Sequence, residues 1–252
     1  MFDLGFIGFG NIAQALAKGL SSSNYNICAY DVLKSKSKTI RAFNLACLSS
    51  SEEVVEKSKI IILCIKPSHF SQVLDNISSH VTNKKIIISV GAGVSLGFIS
   101  KFLKDRKLVR IMPNLSSAFG NGFTAVVFNK VLLKKERSFI IKILDSFGKT
   151  MELKNESFFD KITALSGSGP AFFAFYLDSI IKYAIDSGFT RKQAVDIAYN
   201  TSGGALSYLQ NSNLLPEKFI ELVSSPNGTT EEGIKYLKSK GFKKIIMDCH
   251  KK

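Results

Sequence analysis

A chain of 252 residues, 45% hydrophobic and 21% charged, has room for one or two domains and is too apolar to be disordered. Its 34 Lys+Arg against 20 Asp+Glu leave a formal charge of +14, so nucleic acid has to be weighed as a partner. Cys28, Cys47, Cys64 and Cys249 form no CxxC pair, His69, His80 and His250 share no ligand spacing, and no run of about 20 apolar residues occurs, which argues against a disulfide framework, a metal site and a membrane span.

The chain opens on LGFIGFG, a buried strand ending in a glycine turn, with no basic segment of the kind a signal peptide needs. Asn11–Leu20 then places Ile12, Ala13, Leu16, Ala17 and Leu20 on one helical face. NICAYD reads as a second strand and Leu45–Leu48 as a weak third, and Ser51 is placed to cap a short helix holding Val54 and Val55. The uniform apolar runs Lys59–Ile65, Lys85–Val90 and Lys107–Met112 read as fully buried strands, with a helix over His69–Ile77. Phe123–Phe128 adds a strand and Lys134–Phe147 a helix. Strands alternating with helices predict an α/β domain, a parallel sheet covered on both faces, over residues 1–155.

Beyond about residue 155 the pattern is helical only, giving a second domain over 156–252. Pro170–Ser187 is apolar on every side, more than some 95 residues can bury alone, and a partner subunit is the expected cover. Arg191–Leu209 follows, with Thr190 and Gln193 spaced as a capping box, and shorter helices are expected at Pro216–Leu222, Thr230–Ser239 and Phe242–His250.

Four features carry chemistry. Gly8-Phe9-Gly10-Asn11-Ile12-Ala13 reads GxGxxA between a strand and a helix, the context in which free N–H groups and the helix dipole hold a pyrophosphate. Asp31 ends the second strand, where a carboxylate accepts from ribose hydroxyls and repels a 2′-phosphate; this favours NADH, although Lys34, Lys36 and Lys38 follow at once and a solvated turn is the plain alternative. Lys66-Pro67, Gly91-Ala92-Gly93 and Met112-Pro113-Asn114 end three successive strands with small, polar or kinked residues, a wall for a flat ring. Near the C-terminus, Ser224–Thr230 precedes a helix as an anion nest suited to a small carboxylate, and Thr229 and Glu232 have capping-box spacing that leaves the Thr230 hydroxyl spare.

FIGFGNIAQALAKGL, IKPSHFSQVL, SVGAGVS, VRIMPN, ALSGSGPAFF and VSSPNGTTEEGIKYL occur in this order over nearly the whole chain, which thereby resembles the pyrroline-5-carboxylate reductase family. The resemblance implies an N-terminal Rossmann-type domain followed by an all-helical dimerisation domain. It implies homodimers that often assemble further into a decamer, and reduction of 1-pyrroline-5-carboxylate to L-proline with NADPH or NADH. The family's dinucleotide loop matches Ile7, Gly8, Phe9, Gly10, Asn11 and Ile12, and its adenosine-ribose position matches Asp31. Further cofactor contacts match Cys64, Ile65, Lys66 and Pro67, and the nicotinamide-side wall Gly91, Ala92 and Gly93. The substrate loop matches Ser225, Gly228, Thr229 and Thr230, with Thr230 bonding the ring nitrogen. The chain departs from the family at Asp31, where members using NADPH often carry a hydroxyl or amide, and at Asn227, where Gly is usual.

Two rivals remain at this stage: another imine or β-hydroxyacid dehydrogenase of similar architecture, and a non-catalytic dinucleotide- or nucleic-acid-binding protein. The second predicts a basic stripe with exposed aromatics, whereas the 20 Phe fall mostly at core-like positions and the lysines scatter, so no nucleic-acid partner is expected. A cytoplasmic location, with no membrane contact and no metal, completes the expectation.

Overall fold

A computed structural model describes residues 1–251. The chain divides into two compact units, one from Met1 to Pro170 and one from Ala171 onward.

The first unit is built on an eight-stranded sheet: β1 (Phe2–Ile7), β2 (Ile27–Tyr30), β3 (Ala46–Cys47), β4 (Ser58–Leu63), β5 (Ile86–Ser89), β6 (Lys107–Met112), β7 (Gly122–Phe128) and β8 (Gly148–Glu152). Its order is β3-β2-β1-β4-β5-β6-β7-β8, so the winding reverses between β1 and β4. The helices of this unit are α1 (Asn11–Gly19), α2 (Lys36–Ala42), α3 (Ser51–Lys57), α4 (Phe70–Ser78), α5 (Leu96–Phe102), α6 (Lys134–Asp145) and α7 (Phe159–Ile162).

Alternation along the buried strands sends side chains to two cores. Leu4, Phe6, Ile60, Ile62, Ile88 and Ile111 face one side with Leu16 of α1 and Ile140 and Leu144 of α6. Ile7, Ile61, Leu63, Ile87 and Leu108 face the other, under Val54 of α3, Phe70 and Leu74 of α4, Ile99 of α5 and Phe159 of α7. Both faces being covered is why these strands read as unbroken apolar runs. Residues 156–170, taken from the sequence as the start of the helical part, lie in this unit, and Phe159 is buried in its second core.

Four local expectations need correction. The sheet is not wholly parallel: β7 runs antiparallel to β6, because the nine residues between Met112 and Gly122 are too few for the crossover that a parallel return requires. The edge strand β8, parallel to β7, was not foreseen, nor were the short helices α2 and α5. Ser50, not Ser51, caps α3: its hydroxyl accepts the Glu53 N–H at 3.1 Å, while Ser51 is buried in the first turn.

Glu53 in turn accepts from Lys57 Nζ at 2.6 Å and from the N–H and hydroxyl of Ser49 at 2.7 Å each. The Lys57 bond first, then those from Ser49, hold its pKa down at about 2. A carboxylate depressed in the folded state stabilises fully above its unfolded pKa and loses that contribution as pH falls through the folded value. Replacing Glu53 with Gln is therefore expected to cost at most about 1 kcal/mol at pH 7, less as pH falls through about 2, and nothing well below it. Urea midpoints of both proteins across that range measure the convergence.

The second unit is helical: most of α8 (Gly169–Asp186), then α9 (Arg191–Ser212), α10 (Pro216–Val223), α11 (Thr229–Ser239) and α12 (Phe242–Cys249). The Thr190–Gln193 capping box is present, and α9 runs to Ser212, where Asn213 stops it in the left-handed region at φ 55°. Of the residues on α8 only Ala184 is buried within the chain, and Phe175 stands 76% exposed.

Candidate active site

The switch in strand order between β1 and β4 opens a crevice at the carboxyl ends of the strands. Those ends are tied in register: Gly8 N–H donates to the Tyr30 carbonyl at 2.8 Å, Cys64 N–H to Ile7 at 2.8 Å, and Val90 N–H to Leu63 at 3.1 Å. Gly8 has φ 86°, and a Cβ there would sit 2.5 Å from the Cys64 carbonyl oxygen, so the turn accepts only glycine. Gly10 differs. It is the N-cap of α1, and a Cβ on it would meet nothing within 4 Å. The N–H groups of Asn11, Ile12 and Ala13 find no acceptor among the described residues. Open space at Gly10, unpaired donors and the positive end of a helix dipole fit a dinucleotide's pyrophosphate. Ala13 is fully buried against the sheet, as the small third position of the fingerprint requires.

Phe9 contributes backbone only. Its side chain is buried, edge-on to Phe6 and Phe43, while its N–H donates to Asp31 Oδ2 at 2.7 Å. Asp31 Oδ1 accepts the Leu33 N–H at 2.9 Å. Neither sequence reading of Asp31 anticipated this: the carboxylate ties the turn after β1 to the turn after β2. Each oxygen keeps a lone pair for a further donor. Of the lysines that follow in sequence, Lys34 and Lys38 are exposed and Lys36 is half-buried.

After β4, Cys64 and Ile65 are half-buried, and Lys66 and Pro67 are exposed. Pro67 opens a single helical turn, Pro67–His69, that leads into α4. Burial pushes the Cys64 thiol up, which keeps it protonated and unreactive. After β5, Gly91 is packed so closely on the Phe70 ring that a Cβ would lie 2.7 Å from it, whereas Ala92 and Gly93 are exposed and a Cβ on Gly93 would enter open space. After β6, Asn114 Nδ2 donates to the Ser166 hydroxyl at 3.0 Å and carbonyl at 3.2 Å, and its Oδ1 is buried with no partner among the described residues. Ser166 lies in a π-helical turn, Thr163–Gly167, an irregularity often found at functional sites. The sequence named Asn114 but gave no hint of this pairing, because a π-turn leaves no periodic trace.

The second unit carries the hydroxyl-rich loop. Gly228 N–H donates to the Ser225 carbonyl at 3.0 Å, closing a turn over Pro226 and Asn227. Asn227 has φ 57°, the left-handed value that the third position of a type II turn needs, so the departure from Gly is accommodated. A Cβ on Gly228 would collide with the Ser225 hydroxyl.

The expected Thr229–Glu232 capping box does not form. Helix α11 starts one residue earlier, with Gly228 as N-cap and Thr229 already in the first turn. The reaching acid is consequently Glu231, whose carboxylate accepts the Asn227 N–H at 2.7 Å; that bond first, and Lys235 second, lower its pKa. Neither the Thr229 nor the Thr230 hydroxyl has a hydrogen-bond partner among the described residues, and the N–H groups of Thr229, Thr230 and Glu231 have no acceptor there. This helix end can grip a small anion while offering two hydroxyls.

Two family models match separate parts of the chain. A family model described as pyrroline-5-carboxylate reductase dimerisation matches residues 156–252, and one described as NADP oxidoreductase, coenzyme F420-dependent, matches residues 3–93. The pyrroline-5-carboxylate reductase of Aquifex aeolicus is 37% identical over 249 residues, spanning 98% of this chain and 92% of that protein. The Plasmodium falciparum pyrroline carboxylate reductase, solved with NADP bound, superposes with a TM-score of 0.91 at 27% identity, covering 99% of this chain and 94% of that one. The Streptococcus pyogenes enzyme gives 0.91 at 29% identity, covering 99% and 95%. The crevice, the glycine turn and the threonine-bearing helix end thus stand in a chain that matches these relatives almost from end to end, and the protein belongs to the pyrroline-5-carboxylate reductase family.

Proposed function

We propose that the protein reduces the cyclic imine of 1-pyrroline-5-carboxylate to L-proline with NAD(P)H, the last step of proline synthesis. The observation that carries this is the presence, in one chain, of a dinucleotide cradle at Gly8–Ile12 and a second open helix end at Gly228–Thr230.

NAD(P)H supplies the hydride when bound. The chain holds it through the backbone of Ile7, Gly8, Phe9, Gly10, Asn11 and Ile12, with Asp31 at the adenosine ribose. Cys64, Ile65, Lys66 and Pro67 form one side of the crevice and Gly91, Ala92 and Gly93 the other. The N–H groups at the start of α11, with Ser225, Gly228 and Thr229, bind the substrate carboxylate. Thr230 Oγ1 bonds the ring nitrogen and relays its proton, because a threonine hydroxyl is too weak an acid to store one. Imine reduction asks for no paired carboxylates and no histidine, which agrees with the roles available here.

NADH is the preferred cofactor in this reading, supported by the carboxylate at Asp31. The working unit is a homodimer, further assembled into a decamer, and its dimerisation region is taken to begin at 156, before the first compact unit ends at Pro170. Supporting it are the dimerisation match from residue 156 and the apolar side chains that α8 leaves uncovered. The location is cytoplasmic, supported by four unpaired cysteines. A surface charge of +14 draws in anionic cofactor and substrate rather than nucleic acid.

An assay of pyrroline-5-carboxylate and of β-hydroxyacids, each with both nicotinamide cofactors, tests the activity. Imine-dependent oxidation of NAD(P)H with formation of proline is expected. Turnover of a hydroxyacid without imine reduction would overturn the reading. Sedimentation equilibrium is expected to return a dimer or a multiple of it at assay concentration, and a fully active monomer would remove the homodimer from the proposal.

A further inference from the structure

Arg110 and Glu156 belong to neither the cofactor crevice nor the substrate loop. Arg110 interrupts the apolar run of β6 and is only 4% exposed. Its Nη1 donates to Glu156 Oε1 at 2.7 Å, its guanidinium lies 4.3 Å over the Phe159 ring, and its Nε is buried with no acceptor among the described residues. Both oxygens of Glu156 also accept one backbone N–H, that of Leu96, at 3.0 and 3.1 Å.

Leu96 is the first residue of α5, so its N–H stands three positions past Gly93. On the strand side, Arg110 is the register partner of Ser89, whose hydroxyl accepts the Gly91 N–H at 3.3 Å. The Gly91–Gly93 corner is thus fixed at its near end through Ser89, beside Arg110, and at its far end through Leu96 on Glu156.

An ion pair that buries its guanidinium, with Glu156 half-buried, is a poor device for stability alone, since two apolar side chains of similar volume do as well or better. Apolar side chains cannot hold a backbone N–H in a set direction; a carboxylate anchored by a guanidinium can. We propose that Arg110 and Glu156 are a positioning pair for the reductase reaction, setting the Gly91–Gly93 corner against which the nicotinamide end of NAD(P)H lies. The proposal rests on the reading of that corner as the cofactor wall. Neither residue touches the reacting atoms; both act through the backbone between Ser89 and Leu96.

The test uses the full-length enzyme, with KM for cofactor, KM for imine, kcat and thermal midpoint measured for each variant. Glu156→Gln keeps an oxygen for the Leu96 N–H but removes the charge that orients it. It is expected to raise the KM for NAD(P)H about tenfold, with the KM for pyrroline-5-carboxylate held within about twofold. Combining Arg110→Met with Glu156→Leu replaces the pair by apolar groups. That variant is expected to recover the thermal midpoint lost in Glu156→Gln while the cofactor KM stays raised. Recovery of both, or an unchanged cofactor KM in Glu156→Gln, makes the pair purely structural and overturns the proposal. Ala92→Val separates the underlying reading, because Ala92 is exposed at the same corner and its backbone is not left-handed, so a larger side chain adds bulk without straining the turn. If Ala92→Val leaves the cofactor KM unchanged, the wall reading itself fails and the proposal with it. If Ala92→Val raises that KM and Glu156→Gln does not, only the positioning role fails.

Discussion

Replacing Thr230 with alanine is expected to lower turnover by about 10²–10⁴, while the thermal midpoint and the KM for NAD(P)H stay near those of the parent. That is about 2.7–5.5 kcal/mol of barrier, well beyond what an exposed methyl-for-hydroxyl change at a helix start does to folding. The separation between activity and stability is legible in the structure. Thr230 is exposed, its hydroxyl bonds nothing among the described residues, and the cap of α11 is Gly228. Thr229→Ala is the companion measurement, because the failed capping box leaves its hydroxyl as free as that of Thr230. A smaller effect is expected there, expressed in the KM for the imine, since Thr229 is assigned to the carboxylate. Thr230→Ser keeps a hydroxyl and is expected to retain most of the activity. A loss below about threefold in Thr230→Ala removes Thr230 from the chemistry, and a large loss in Thr229→Ala moves the proton relay there.

The parts of this molecule that were legible in the sequence are those where one physical demand dominates. Strands β4 and β5 are buried on both faces and spell apolar runs, and β1 and β6 do so apart from Asp3 near one end and Arg110 inside the other. The turn after β1 leaves room only for glycine at position 8, so the fingerprint and its place in the fold come together. The capping box at Thr190 is a local pairing three residues long, and it formed as spaced. What stayed hidden depends on competition between near-equals. Ser50 and Ser51 are adjacent hydroxyls and either could have capped α3; the one with extended backbone did. Gly228 displaced Thr229 as the cap of α11 in the same way, and Glu231 then served where Glu232 was expected. Helix α2 buries only Ile40, and β8 is a half-exposed edge strand, so neither has an amphipathic period to read. The direction of β7 follows from the length of a connection, not from the strand's own residues. Arg110 carried a signal that sequence reading passed over: a charge inside a buried strand requires a partner, here 46 residues away.

The proposed preference for NADH rests on Asp31, whose double engagement makes the expected result specific. Asp31→Asn is expected to move the ratio of kcat/KM for NADPH over NADH by about 10²-fold in favour of NADPH. A carboxylate about 4 Å from a phosphate is opposed by about 4 kcal/mol per unit charge at an effective dielectric near 20, and screening by salt leaves part of that. Removing the charge also lets Lys34, Lys36 and Lys38 attract the 2′-phosphate without opposition. The substitution has a second effect that must be separated from the first. Asp31 holds the Phe9 N–H at 2.7 Å and the Leu33 N–H at 2.9 Å, and an amide has only one oxygen for those two donors. Loosening the turn weakens both cofactors alike, by about tenfold for one lost charge-assisted bond. The clamp therefore sets the common loss and the charge sets the difference, so measuring both cofactors resolves the two roles in one variant. NADH affinity should fall while NADPH affinity holds or rises, and raising ionic strength should shrink the contrast in the parent enzyme. An equal loss for both cofactors means that Asp31 works as a tie between two turns and nothing more, and the preference for NADH would then have no residue to carry it.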